Sequence, residues 1–325
     1  MNVLYVMQRL SASHKTRILD TAGGDWAVIF RDQCSPEEQE NALHRATAIF
    51  GEPTVEKVLR AEKLRWIQMT WAGADRYTKD PAFPQSVLVS NATGAFGVAI
   101  AEHLIGAALA LLRGFPRYVR QQQCSLWQPN YGAATLEGKT ALILGAGDIG
   151  TALATRLKAF DVKTIGVRRT AGGLPTGFDE IHDLSALDKL LPVADLVFGC
   201  LPGTAETAGL LTEKRLRSMK QDAVLLNAGR GSLLNLDDLT RVLQEGQLRG
   251  AALDVCQPEP LPPEHPLWTL ENVLITPHVA GVGFDDMPET EDKIVTILCN
   301  NLPRVAAGLM PENLVDFTTG YRQSR

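Results

Sequence analysis

Short apolar runs alternate with polar, helix-like stretches along nearly the whole chain. The first series of runs lies at residues 2–7, 26–30, 47–50, 66–69 and 87–89, with helical stretches between them at 36–44 and 54–63. Strand alternating with helix predicts a parallel sheet covered on both faces. A long apolar helix is expected over 98–113, with Asn91 or Thr93 as its N-cap. Residues 114–138 read as irregular because of Pro116, Pro129 and Gly132, and they carry Trp127 and Tyr131, which suit a subunit contact. A second series follows, with strands at 141–144, 162–167, 195–200, 223–227, 250–254 and 273–276, and helices at 184–191, 212–219 and 237–245. A last helix at 288–307 leads to a tail at 313–317, too short to stand alone and expected to rejoin the first series.

Length and composition narrow the class. A chain of 325 residues suggests two domains, and an apolar fraction of 45% is that of an ordinary globular protein. The formal net charge is -5, with Lys and Arg scattered rather than clustered, which argues against a nucleic-acid surface. The N-terminal apolar run is too short for a signal peptide and lacks a basic start. The longest apolar stretch, 104–112, falls far below a membrane span of ~20 residues. No membrane association is expected. Cys34, Cys124, Cys200, Cys256 and Cys299 are far apart and odd in number. They read as free thiols in a reducing, cytoplasmic setting, with neither disulfides nor a metal site.

Chemistry enters at residues 139–150, K-T-A-L-I-L-G-A-G-D-I-G. An apolar strand runs into Gly145, Gly147 and Gly150 at the spacing G-x-G-x-x-G, and a helix follows on which Leu153, Leu157 and Phe160 share a face. Glycine turns are common, and alone the pattern is only a strand-to-helix turn. With strand before and amphipathic helix after, it fits a dinucleotide site. Gly145 permits the tight turn, Gly147 lets a pyrophosphate approach the backbone, and Gly150 lets helix pack on strand. The first helical amides, at Asp148, Ile149 and Gly150, then face the anion.

In such a site the second strand ends in an acid that binds the adenosine ribose. Here that place reads Gly166-Val167-Arg168-Arg169-Thr170. Guanidinium groups suit a 2′-phosphate, so NADP is favoured over NAD. Three further strand ends carry polar residues: Arg230 in N-A-G-R-G, Asp254 with Glu259 in A-L-D-V-C-Q-P-E-P, and His278 in T-P-H. Singly each is unremarkable. Together on one sheet edge, an arginine, a carboxylate and a histidine form an anion holder and a paired acid/base. Glu102 and His103, inside the long helix, read as a hydrogen-bonded structural pair. The run Trp71-Ala72-Gly73-Ala74-Asp75 follows a strand and is either a simple loop or a place where backbone amides bind a carboxylate.

These motifs in order resemble the D-isomer-specific 2-hydroxyacid dehydrogenases: W-A-G-A-D at 71–75, A-E-H at 101–103, the glycine-rich stretch at 136–150, L-P-G-T-A-E-T at 201–207, N-A-G-R-G at 227–231, A-L-D-V-C-Q-P-E-P-L-P at 252–262 and T-P-H-V-A-G at 276–281. The resemblance covers almost the whole chain, and G-V-R-R-T makes it similar to the NADP-preferring glyoxylate/hydroxypyruvate reductase branch. It implies an α/β fold of two doubly wound parallel-sheet domains. A Rossmann domain, residues 98–286 with a dimerisation helix, would be inserted into a flavodoxin-like substrate domain, residues 1–97 and 287–325. Hinges would lie near 94–98 and 284–288, and two copies would form a homodimer on the long helix and the loop after it. By the same resemblance Arg230 holds the substrate carboxylate and carbonyl oxygen, His278 is the acid/base, and Glu259 pairs with it. Asp254 binds the nicotinamide carboxamide, Pro202 and Thr207 line the cofactor, and the amides of Gly73 and Ala74 bind the substrate carboxylate.

The expected reaction is therefore reduction of a small 2-keto acid by NADPH. Phosphoglycerate dehydrogenases commonly add a regulatory domain, and formate dehydrogenases carry an amide where Glu259 stands. Phosphite dehydrogenases resemble an acid-bearing NAD site. A cofactor-sensing corepressor on the same scaffold is the reading from another class.

Overall fold

The computed structural model describes residues 1–169, 172–284, 286–318 and 320–322. Thr170 of the G-V-R-R-T run and Asp285 of the expected second hinge lie outside them. The chain divides into two compact units, Met1–Phe96 with Val282–Arg325, and Gly97–Gly281.

The first unit begins with β1 (Asn2–Val6), α1 (Ala12–Ala22), β2 (Trp26–Phe30), α2 (Pro36–Arg45), β3 (Ala48–Phe50), α3 (Val55–Arg60), β4 (Trp66–Gln68), α4 (Asp75–Thr78) and β5 (Leu88–Ser90). The helix starts are written locally. Ser11, Ser35 and Thr54 each accept a hydrogen bond from a first-turn amide, and Ser35 with Glu38 closes a capping box. All five strands are parallel, in the order β2-β1-β3-β4-β5. The register sets Tyr5 beside Ile49, Ile49 beside Ile67 and Ile67 beside Val89, and the four belong to one buried cluster.

The second unit contains α5 (Gly97–Leu112), α6 (Phe115–Gln123), β6 (Thr140–Leu144), α7 (Asp148–Leu157), β7 (Lys163–Arg168), β8 (Glu180–Asp183), α8 (Leu187–Leu190), β9 (Leu196–Gly199), α9 (Glu213–Ser218), β10 (Val224–Asn227), α10 (Leu236–Gln244), β11 (Gly250–Leu253) and β12 (Val273–Ile275). Its seven strands are parallel, in the order β12-β11-β10-β9-β6-β7-β8. Side-chain alternation divides the core by face. Leu142, Leu144, Val197 and Leu225 join Leu216 and Leu239 on one side, while Ala141, Ile143, Phe198 and Leu226 join Leu104, Ala108 and Leu153 on the other. That is the doubly wound arrangement. The chain then returns to the first unit with α11 (Pro288–Ala306), β13 (Val315–Asp316) and β14 (Tyr321–Arg322). Leu314 forms an isolated antiparallel bridge with Ser90, the last residue of β5.

Two local expectations need correction, and one strand was not anticipated. Residues 115–123 form α6 rather than irregular chain, because Pro116 sits in the first turn, where a missing N–H costs nothing. β8 has the half-buried sequence E-I-H-D; it is an edge strand bearing charge, with no apolar run to announce it. Neither Asn91 nor Thr93 caps α5, which starts at Gly97. Asn91 instead accepts the Thr93 amide at 3.2 Å and donates to the Ala72 carbonyl at 2.7 Å. Among the described residues no single helix is long and apolar enough to cross a membrane.

Candidate active site

In a parallel sheet every strand delivers its following loop to the same edge. The second unit places polar or glycine residues on the loops after β6, β7, β9, β10, β11 and β12. Past β6, Gly145 has φ +113°, and a Cβ there would lie 2.7 Å from the Cys200 carbonyl oxygen. A Cβ on Gly150 would overlap the Gly145 carbonyl oxygen. Both positions therefore require glycine for the turn and the helix packing. Gly147 differs: it is exposed, and a Cβ there would meet nothing within 4 Å. The protein does not itself need this glycine, and the space it leaves lies at the N-terminus of α7, with Asp148, Ile149 and Gly150 in the first turn. This cradle fits a pyrophosphate.

Arg168 is the last residue of β7, and Arg169 follows it. Arg168 Nη2 donates to the Gly173 carbonyl at 3.1 Å, while its Nε is buried and has no partner among the described residues. Past β9, the Thr207 hydroxyl donates to the Pro202 carbonyl at 2.6 Å and accepts the Thr204 amide at 2.9 Å, so Thr207 shapes the 202–207 loop.

Past β10, Asn227 folds the loop that carries Arg230. Its Nδ2 donates to the Arg230 carbonyl at 3.0 Å and its Oδ1 accepts the Gly229 amide at 3.1 Å. Arg230 Nη1 donates to the Gly229 carbonyl at 2.8 Å. Past β11, buried Asp254 gathers the segment that follows β12. Its Oδ1 accepts the Thr276 hydroxyl at 2.6 Å and the Val279 amide at 2.9 Å, and its Oδ2 accepts the Ala280 amide at 3.1 Å. The His278 amide donates to the Asp254 carbonyl at 2.8 Å. A carboxylate offers about four acceptor sites, so Oδ2 can still receive a further donor.

His278 takes φ +58°, an uncommon conformation outside glycine, enforced by these bonds. Its Nδ1 lies 3.0 Å from Glu259 Oε2, and Glu259 Oε1 accepts the Cys256 amide at 2.9 Å. Both side chains are part-exposed, at 47% and 40%. Nδ1 faces the carboxylate and orients the ring, which leaves Nε2 to exchange a proton. Burial, reinforced by Glu259 and Asp254, pushes the Cys256 thiol up to about 11. It is a packing residue and no nucleophile.

Glu102 and His103 do not pair with each other, because neighbouring helix residues diverge. Glu102 takes Arg156 at 3.3 Å, and His103 Nε2 lies 3.3 Å from the Thr276 hydroxyl. Asn227 and Thr276 carried no expected role. The only available signal was a polar residue at each strand end.

In the first unit, considered by itself, Gly73 and Ala74 lie between β4 and α4. The Trp71 carbonyl accepts the Ala92 amide at 3.0 Å and the Ala72 carbonyl accepts Asn91. The amides of Gly73 and Ala74 donate to no group among the described residues.

Known proteins resemble this chain in sequence and fold. A family model described as D-isomer specific 2-hydroxyacid dehydrogenase, NAD binding domain, matches residues 105–280. A glyoxylate reductase from Thermofilum pendens is 35% identical over 263 residues, covering 79% of this chain and 76% of that protein. The crystal structure of a D-isomer specific 2-hydroxyacid dehydrogenase family protein from Aeromonas salmonicida superposes with a TM-score of 0.86 at 33% identity, covering 97% of this chain and 99% of that one. An NADPH-dependent glyoxylate/hydroxypyruvate reductase from Sinorhizobium meliloti, solved with NADP and sulfate, superposes with a TM-score of 0.82 at 26% identity, covering 99% and 100%. A glycine cradle, a Glu259–His278 pair and a loop-borne arginine on one sheet edge thus meet a family match across more than half the chain, and the protein belongs to the D-isomer-specific 2-hydroxyacid dehydrogenases, NAD(P)-dependent oxidoreductases.

Proposed function

We propose that the protein reduces a small 2-keto acid of the glyoxylate or hydroxypyruvate type to the D-2-hydroxy acid, using NADPH. The observation that carries this reading is the Glu259–His278 pair, held by Asp254 on the edge that also bears Arg230 and the glycine cradle. Bound at the cradle, NADPH supplies the hydride. The chain's own residues supply the rest. The Arg230 guanidinium holds the substrate carboxylate and stabilises the keto oxygen as negative charge develops. His278 gives that oxygen a proton from Nε2, and Glu259 keeps the ring aligned. The amides of Gly73 and Ala74 take the substrate carboxylate, and Asp254 accepts from the nicotinamide carboxamide. Pro202 and Thr207 border the cofactor.

The preference for NADP over NAD rests on the two arginines at the end of β7 and on Arg168 Nε, unpartnered among the described residues, which suits an anion. Assembly as a homodimer is supported by Phe115, Val119, Leu126, Trp127 and Tyr131, large apolar side chains that are all half exposed or more, Trp127 fully. A cytoplasmic location accords with five free cysteines.

The test is consumption of NADPH with glyoxylate, hydroxypyruvate, pyruvate and branched 2-keto acids, for wild type and His278→Asn. Turnover of one of the first two, lowered about a hundredfold or more by the substitution, is expected. Absence of turnover with every keto acid, alongside intact NADPH binding, would instead indicate a cofactor-sensing binding protein.

A further inference from the structure

The first unit holds a polar cluster that the reaction as described does not use. Gln8, Glu52 and Thr70 lie just past the carboxyl ends of β1, β3 and β4, three adjacent strands. Glu52 Oε1 accepts the Thr70 amide at 2.6 Å and the Thr70 hydroxyl at 3.0 Å, and Oε2 accepts the same hydroxyl at 3.0 Å and Gln8 Nε2 at 3.3 Å. The Trp71 amide also points at this carboxylate. Arg76 Nη1 donates to the Glu52 backbone carbonyl at 3.0 Å, tying the same residue to α4 on the far side of the loop. Gln8 further donates to the Thr70 hydroxyl at 3.3 Å.

A largely buried carboxylate is costly, and burial raises its pKa despite the bonds from Thr70 and Trp71. The fold keeps it at the root of the 71–75 loop. With Thr70 and Trp71 amides directed at Glu52, and the carbonyls of Trp71 and Ala72 occupied by Ala92 and Asn91, the backbone is fixed on both sides. The loop then has little freedom before Gly73 and Ala74, whose amides remain available.

We propose that Glu52 is a positioning residue for substrate binding: it holds the 70–72 backbone so that the Gly73 and Ala74 amides are set in advance for the keto-acid carboxylate. This rests on the proposed 2-keto acid reduction. Pre-ordering those donors avoids an ordering cost at each binding event. Its loss should therefore appear in substrate affinity and leave the hydride and proton steps of the second unit in place.

The experiment is steady-state reduction of glyoxylate by the full-length enzyme, varying glyoxylate and NADPH separately, for wild type, Glu52→Ala, Glu52→Gln and Thr70→Val. Glu52→Ala is expected to raise the KM for glyoxylate about tenfold or more, with kcat and the KM for NADPH within about twofold. Glu52→Gln should recover most of the affinity, because its carbonyl can still accept the Thr70 amide and the Gln8 amide can rotate to meet the new NH2. Thr70→Val keeps the amide and loses the hydroxyl, so a smaller rise in the same KM is expected, and this variant serves if Glu52→Ala does not fold. An unmoved KM for glyoxylate in an active Glu52→Ala or, failing that, Thr70→Val would overturn the proposal. So would a fall in kcat alone, which marks a merely structural role. A wild-type enzyme that reduces no 2-keto acid would refute the underlying function instead, and the two failures are distinguishable.

Discussion

Gly147 and Gly150 belong to one turn but are glycine for different reasons, and alanine separates them. At Gly150 a Cβ overlaps the Gly145 carbonyl oxygen, which belongs to the turn that β6 feeds. Relief requires the helix α7 to move off the strand, an overpacking cost of about 1–3 kcal/mol. For a unit of this size that lowers the melting temperature by about 3–10 °C. At Gly147 the backbone is extended, φ -91° and ψ -151°, open to any residue, and the Cβ meets no protein atom. Alanine there restricts the unfolded chain and should raise stability by about 0.4–1 kcal/mol. The same methyl stands where the pyrophosphate is expected. Loss of one charge-assisted bond, about 1.5–3 kcal/mol, weakens NADPH binding roughly 10- to 150-fold. The assay is thermal unfolding without cofactor together with NADPH titration by calorimetry, on both variants. The expected pattern is opposite: Gly147→Ala folded and cofactor-poor, Gly150→Ala destabilised. Gly147→Ala that binds NADPH like wild type, or that melts well below it, would refute the placement of the cofactor on this turn.

Other expectations follow from single contacts. Glu259 receives one donor on each oxygen, from Cys256 and His278, and an amide in its place could accept only one of them; Glu259→Gln should lower kcat for keto-acid reduction about tenfold, and an unchanged kcat would remove Glu259 from the site. Arg168→Asp should raise the KM for NADPH at least about tenfold and disturb NADH less, since it sets a carboxylate against the 2′-phosphate; equal effects on both cofactors would sink the NADP assignment. Burial raises the Glu52 pKa above its ordinary value, so the fold favours its protonated form. That contribution is complete below the unfolded pKa and is lost as pH rises through the folded one. The melting temperature of Glu52→Gln relative to wild type should therefore climb as pH rises above the ordinary glutamate value of about 4.3; a flat or falling difference would contradict it.

The sequence alone determined the elements whose cause is local. Apolar runs such as 141–144 and 223–227 announce buried parallel strands, because a strand covered on both faces needs apolar side chains at every position. The glycine turn was legible for the same reason: Gly145 at φ +113° is a property of one residue. The polar residues at the ends of β7, β10, β11 and β12 stood out against apolar neighbours. β8 did not, since an edge strand can be built from Glu180, His182 and Asp183, and α6 was hidden by a proline in its first turn.

What the tertiary structure decided is which polar groups meet. Glu102 and His103 are adjacent in sequence and bond elsewhere, to Arg156 and Thr276. Asp254 reads as a cofactor ligand, and the fold also makes it the clasp that sets His278 at φ +58°. Glu52 carried no signal at all, because Gln8 and Thr70 lie far from it along the chain and become its partners only when β1, β3 and β4 are laid side by side. Hydrogen bonds that satisfy a buried charge are drawn from whatever the sheet brings within reach, and strand order, a collective outcome of the whole core, has no trace in any one stretch of sequence.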